Sequence, residues 1–416
     1  MQQSDHIKLG KELDLFVQSD VVGRGLPLLT PKGATLKRIL RRFIEDEEIK
    51  RGYEYTDTPV MAKSELYKIS GHLEHYKDSM FIFGVRPSTN SGQAEEMVLR
   101  PMTCPHQFII YKSRRRSYRE LPIKYAEIAS LFRNEQTGEM HGLIRIRQFT
   151  LADAHIICMP DQLEKEFENV VDLIQYVMKC LGLTDYWYRF SKWDPKNKEK
   201  YIDNPKSWDE SQKAMKKILD KMKLKYDEAE NEAAFYGPKL DIQMKNVFGK
   251  EDTIFTVQID FALPERFDMW YEGADGKKHR PMVIHRSSIG ALERTMAMLI
   301  EHYQGAFPVW LSPVQIKVVP VSEKSNTYGN KILEKLNETG PCLPAGRFRC
   351  EIDSSNETLS KKILNVQKEK IPYILVVGEK EEKDRLVAVR SRVGDEGQMK
   401  LEEFIEKIQK EISDKK

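Results

Sequence analysis

Two periodicities alternate along this chain. Between residues 30 and 51 apolar positions recur at helical spacing, with Leu36, Ile39, Leu40, Phe43 and Ile44 forming a stripe behind Thr30 and Pro31, a cap followed by a first-turn proline. A second helix is predicted from Asp161, with Glu164 completing a capping box and Gly182 as the stop. Its apolar face is Phe167, Val170, Val171, Ile174 and Val177. Elsewhere the period is two. Leu240, Ile242 and Met244 alternate with Lys239, Asp241, Gln243 and Lys245. Phe255, Val257, Ile259 and Phe261 alternate with Ile254, Thr256, Gln258 and Asp260. From Leu151 onward, Ala152, Ala154 and Ile156 alternate with Leu151, Asp153 and His155. Such strands have one buried face and one open to water or ligand, the habit of antiparallel sheets.

After Trp310-Leu311-Ser312-Pro313 the texture changes. Val314 to Val321 and Tyr373 to Gly378 are compact apolar runs separated by two helical patterns, and Leu386 to Val389 and an amphipathic helix follow. This β-α-β-α-β-β-α order predicts a separate α/β domain over residues 313–416, with a larger domain over 1–312. Residues 343–346 read as a loop between a helix and a strand.

The length, 416 residues, suits two or three domains. No stretch approaches eighteen consecutive apolar residues, which argues against a membrane span, and the N-terminus lacks the apolar core of a signal peptide. Five cysteines form no regular framework, as expected of a cytoplasmic protein in a reducing cytosol. The net charge is only +3, yet basic residues cluster. Lys37, Arg38, Arg41 and Arg42 share the first helix, and Lys112, Arg114, Arg115, Arg116 and Arg119 crowd a second segment between Tyr111 and Tyr118. Such runs track a phosphate backbone or form a solvated face, and charge alone leaves both open. No Gly-rich phosphate cradle occurs, so any nucleotide must bind by another scheme.

Three distant residues suggest a metal: Cys104 in Arg-Pro-Met-Thr-Cys-Pro, His155 in Ala-Asp-Ala-His and His285 in Val-Ile-His-Arg. A thiolate and two imidazoles suit tetrahedral zinc with an open fourth position. No short metal signature links them, so spacing alone does not establish the site.

The surrounding motifs do more. Leu131-Phe132-Arg133-Asn134-Glu135, His141-Gly142-Leu143-Ile144-Arg145 and Arg147-Gln148-Phe149 resemble motif 2 of class II aminoacyl-tRNA synthetases, and Gly290-Ala291-Leu292-Glu293-Arg294 resembles motif 3. The helix at 30–51, then Gly52-Tyr53-Glu54 and Thr58-Pro59, is similar to motif 1 at the dimer interface. Gly71-His72, Tyr76-Lys77-Asp78, Pro101-Met102-x-Cys104-Pro105, Asp153-Ala154-His155, Phe235-Tyr236-Gly237-Pro238-Lys239 and Thr256-Val257-Gln258-x-Asp260-Phe261 occur in the order of the threonyl branch, from about residue 5 onward. The resemblance implies an α+β fold: an antiparallel-sheet catalytic domain with flanking helices, followed by a smaller α/β anticodon-binding domain.

It also implies roles. Zinc falls on Cys104, His155 and His285, where threonine's amino and hydroxyl groups would ligate it, with Asp153 accepting the hydroxyl hydrogen. Met102, Tyr236 and Gln258 complete the amino-acid pocket and Lys239 lies close to the adenylate. Arg133 joins carboxylate and α-phosphate, Arg294 clamps the phosphate tail, Glu135 reads the adenine amino group, Phe149 stacks on adenine and Arg145 holds a phosphate. Guanidinium suits this work because it remains charged and binds oxyanions bidentately. Mg²⁺ bridges the ATP phosphates. His72 assists transfer to tRNA as a base, its ordinary pKa being near neutral. Asn356, Glu381 and Arg390 match positions that read anticodon bases.

The implied activity is ATP-dependent ligation of L-threonine to its tRNA through a threonyl-adenylate, by a homodimer. Valine lacks the hydroxyl and should be rejected strongly, whereas serine lacks only a methyl group and should leak through. The family's seryl-tRNA-hydrolysing region is not among these residues, so seryl-tRNA formation is expected. Leu151, Ile254, Phe255 and Ala291 depart from common family residues. Rival readings are a synthetase for serine or proline, and a non-catalytic paralogue that binds RNA as a regulator.

Overall fold

The computed structural model describes residues 4–85, 95–339 and 347–416, and the loop expected at 343–346 lies outside them. The chain packs as two compact units, one of Gly23–Leu26 and Ile44–Thr295, the other of Met1–Val22, Pro27–Phe43 and Met296–Lys416.

The first unit is built on an eight-stranded sheet. Its strands are β1 (Glu54–Tyr55), β2 (Ile123–Phe132), β3 (Gln148–Cys158), β4 (Trp187–Ser191), β5 (Tyr226–Ala229), β6 (Lys239–Lys245), β7 (Glu251–Asp260) and β8 (Met282–Ala291). Their order across the sheet is β5-β4-β6-β7-β8-β3-β2-β1. The six central strands pair antiparallel, as their alternation predicts, and only the outermost pairs, β5 with β4 and β1 with β2, are parallel. The expected open face borders a cavity, and many of its side chains are buried. Asp241, Gln243, Asp153 and His155 are buried along with their apolar neighbours. The polar face floors the site, and several of its side chains bond one another: Ser191 donates to Asp241 at 2.7 Å and Gln243 to Thr253 at 2.6 Å.

Helix α1 is Pro31–Ile49, with the stripe from Leu36 to Ile44 buried and the Gly33 amide capped by the Thr30 hydroxyl at 3.3 Å. Helix α2 is Cys104–Lys112. Helix α3, Leu163–Cys180, packs its expected apolar face against β8, β7 and β3. It stops at Gly182, whose φ of 69° is the left-handed value glycine favours. Its start differs from expectation. A 3₁₀ turn, Pro160–Gln162, precedes it, the Gln162 carboxamide accepts from the Met159 amide, and Glu164 instead takes Lys221 at 2.5 Å. Helix α4, Leu292–His302, follows β8 directly.

The second unit contains a five-stranded sheet of β9 (Ile316–Pro320), β10 (Cys350–Ile352), β11 (Tyr373–Val377), β12 (Val387–Ser391) and β13 (Asp395–Met399), ordered β10-β9-β11-β12-β13. Helices α5 (Asn326–Thr339), α6 (Leu359–Lys368), α7 (Glu379–Asp384) and α8 (Leu401–Ser413) complete it. The short α7 and the edge strand β13 were not legible, because both are polar and carry no apolar period. Among the described residues no helix is long and apolar enough to cross a membrane.

Candidate active site

Strand register assembles the site. Lys239 of β6 stands opposite Gln258 of β7, Gln258 opposite His285 of β8, and His285 opposite His155 of β3. Directly opposed residues of antiparallel strands share a face, so four strands present one polar row. Two positions along, Ser287 stands opposite Asp153 on that same face. Above the row lies a cavity of about 620 Å³.

Cys104, His155 and His285 are all buried, and one donor atom from each lies within 4.8 Å of the others. Cys104 reaches the row from the first turn of α2. The imidazoles meet edge to face at 4.5 Å between centroids, and the Tyr236 ring stacks on His285 at 4.8 Å. Burial, reinforced by Asp153 and Asp260, pushes the Cys104 thiol well up. Burial and then His285 push His155 well down, so it is neutral. A neutral imidazole and a thiol that a cation would deprotonate are the states a soft divalent metal selects. The donor set fits zinc.

Around these ligands stand three residues given no role from sequence. His155 Nδ1 meets Gln107 Oε1 at 2.6 Å, His285 Nε2 meets Asp260 Oδ2 at 2.8 Å, and Thr103 donates to Asp153. A signal existed: Cys104 and Gln107 are one turn apart on α2, and Asp260 shares the polar face of β7 with Gln258.

The other expected residues His72, Met102, Arg133, Glu135, Arg145, Phe149, Tyr236, Lys239 and Arg294 line the same cavity, as do Leu151, Ile254, Phe255 and Ala291. The Arg133 guanidinium lies 5.0 Å from the Phe149 ring centre. Arg294 donates to the Thr253 carbonyl at 2.7 Å and the Ile144 carbonyl at 3.1 Å, and burial, with Arg133 nearby, holds its pKa below the usual value. Among the described residues neither guanidinium is paired with a carboxylate. Two like charges lining one cavity can attract an anion. Arg145 is different, bound to Glu135 at 2.7 Å and Glu139 at 2.8 Å. Gly290, at a φ of 69°, brings the backbone so close that a Cβ would lie 2.4 Å from the Ile254 carbonyl oxygen.

Tyr236 donates to Gln258, and Lys239 pairs with Asp241 at 3.0 Å. His72 is buried against Phe235 and meets Ser70 Oγ at 2.8 Å. Burial pulls its pKa down to about 3, away from the near-neutral value expected. The anticodon candidates lie in the second unit. Asn356 is exposed, Glu381 accepts from the Gly378 amide at 2.9 Å and Gln398 at 2.6 Å, and Arg390 faces Asp395 at 3.4 Å.

Residues 87–303 match the tRNA synthetase class II core domain (G, H, P, S and T), and residues 315–411 match the anticodon binding domain family. A curated threonine--tRNA ligase of Clostridium botulinum (strain Eklund 17B / Type B) is 56% identical over 416 residues, which are 100% of this chain and 63% of that protein. The Geobacillus sp. (strain WCH70) threonine--tRNA ligase is 49% identical over 413 residues, 99% of this chain and 62% of that protein. The crystal structure of the RNA binding domain of threonyl-tRNA synthetase from Cryptosporidium parvum Iowa II superposes with a TM-score of 0.89 at 34% identity, covering 98% of each chain. The chain thus spans about 63% of the length of the first of these curated relatives. With both family matches in order and close relatives along its whole length, the chain belongs to the threonyl-tRNA synthetase family of class II aminoacyl-tRNA synthetases.

Proposed function

We propose that this chain activates threonine with ATP and transfers it to its tRNA. The observation that carries the reading is the polar row Lys239–Gln258–His285–His155, with Cys104 and Asp153 beside it, opening into the cavity that the Arg133 and Arg294 guanidiniums line. Cys104, His155 and His285 would hold zinc, which when bound supplies a Lewis-acid position for an amino and a hydroxyl group. Asp153 accepts the hydroxyl hydrogen. Tyr236 and Gln258, already bonded to each other, close the pocket around the amino acid with Met102.

Charge that builds on the α-phosphate during attack by the carboxylate meets Arg133, while Arg294 holds the phosphate tail, and Lys239 sits beside the adenylate. Mg²⁺ accompanies the ATP phosphates. Phe149, with Arg133 near its ring, offers the adenine a stacking face, Glu135 accepts from its amino group, and Arg145, released from Glu135, turns to a phosphate. His72 is neutral and so able to accept a hydrogen from the tRNA ribose hydroxyl, yet its low basicity suits it to positioning that hydroxyl more than to removing its proton. Asn356, Glu381 and Arg390 read anticodon bases in residues 313–416, a division supported by family matches that end at 303 and resume at 315. The proposal includes a homodimer and a cytoplasmic setting, the latter consistent with five cysteines that form no regular framework in the sequence.

Pyrophosphate exchange dependent on threonine, serine, valine or proline, with tRNA charging and zinc analysis, tests the reading. Threonine should support the fastest exchange, serine a slower one and valine almost none, and a chelator should abolish the threonine and serine rates. Exchange fastest with proline or serine, or unchanged after complete zinc removal, would overturn it.

A further inference from the structure

The two imidazoles of the proposed zinc site are held in opposite tautomers. Gln107 Oε1 can only accept, so at 2.6 Å it requires a proton on His155 Nδ1 and leaves His155 Nε2 as the lone-pair donor. The amide orientation of Gln107 is set by Thr56, whose hydroxyl donates to the Ala126 carbonyl at 3.3 Å and so accepts from Gln107 Nε2 at 2.8 Å. Asp260 works on the opposite ring atom. Its Oδ2 lies 2.8 Å from His285 Nε2, which leaves His285 Nδ1 as the lone-pair donor. Its other oxygen, Oδ1, accepts the Ala262 amide at 2.8 Å and the Leu263 amide at 2.9 Å, so the carboxylate cannot rotate away. Asp260 and Gln107 are both fully buried.

We infer that Gln107 and Asp260 are positioning residues that preset which nitrogen each histidine shows to the metal, and that tight zinc binding by this chain depends on them. The inference rests on the zinc reading above. Outer hydrogen-bond partners of metal-bound histidines orient the ring and raise its basicity, and their loss typically costs about 10- to 100-fold in metal affinity. Asp260→Asn is the sharpest probe. Its carboxamide oxygen can still accept the Ala262 and Leu263 amides, so the local turn survives. Its amide nitrogen then faces His285 Nε2 as a donor, which drives the ring proton to Nδ1 and blocks the ligating lone pair.

The test measures zinc content of the purified chain and zinc affinity by competition with a chromophoric chelator, with thermal unfolding of the metal-free proteins as a check on folding. The wild type should bind one zinc, and Asp260→Asn should bind it at least ~10-fold more weakly. Gln107→Glu keeps an acceptor facing His155 and should retain zinc, whereas Gln107→Met, of similar size without an acceptor, should lose affinity. That second pair keeps the inference testable if Asp260→Asn fails to fold. Wild-type affinity in both Asp260→Asn and Gln107→Met overturns it while leaving the zinc reading intact. A wild-type chain that binds no zinc overturns the zinc reading itself.

Discussion

Thr103 donates twice to one carboxylate oxygen of Asp153, from its hydroxyl at 2.5 Å and from its backbone amide at 3.2 Å. Oδ2 is therefore occupied, and Oδ1, which lies 3.8 Å from His155 Nε2, is left to meet a ligand. A side chain adjacent in sequence to Cys104 thus sets the orientation of the acceptor on which hydroxyl selection is proposed to depend. Thr103→Val should lower kcat/KM for threonine by ~10- to 100-fold, the worth of a hydrogen bond to a charged group. Thr103→Ser should stay near wild type. Equal threonine activity in both variants counts against the role.

Arg294 ties two backbone segments together while serving the cavity, through the Thr253 and Ile144 carbonyls. A lysine cannot reproduce the fork, so one or both carbonyls lose their donor and the charge moves. Arg294→Lys is expected to slow pyrophosphate exchange by ~100-fold or more, on the scale of removing one preorganised donor from a transition-state site. Steady-state kinetics in ATP would show it, and a rate within threefold of wild type would not fit.

Glu48 and Arg286 form a fully buried ion pair at 2.6 Å, with Ser288 and Tyr55 also donating to the carboxylate. Removing one partner strands the other charge, so Glu48→Gln should cost about 3–5 kcal/mol in unfolding free energy. Chemical denaturation checks this. The double variant Glu48→Leu with Arg286→Met should recover a large part of the loss, because no isolated charge remains.

His72 supplies a pH dependence with a definite sign. Its folded pKa is lowered to about 3 by burial, below the ordinary value of 6.5. The unfolded chain therefore takes up the proton first, and stability falls as pH drops below about 6.5 toward 3. Between pH 7.5 and 5 the wild type should lose more stability than His72→Gln, which has no proton to bind. Parallel losses in the two proteins would falsify the assignment. In the catalytic pH profile no inflection near 6.5 should depend on His72.

Local pattern and local chemistry were legible in the sequence alone. The alternation from Leu151 to Ile156 placed Asp153 and His155 on one strand face, and a period of 3.6 marked the buried faces of α1 and α3, because both follow from backbone geometry within a few residues. The motif wording around Arg133 and Arg294 was readable for the same reason. Tertiary structure decided the rest. That His285 stands opposite His155, and Gln258 opposite His285, is a matter of strand register between distant segments, which no local period encodes. The roles of Gln107 and Asp260, the burial of His72 and the pairing of Glu164 with Lys221 in place of a cap likewise depend on what long-range packing brings within hydrogen-bond reach. Short-range physics chooses the elements, but the chemistry of the site arises only where their side chains meet.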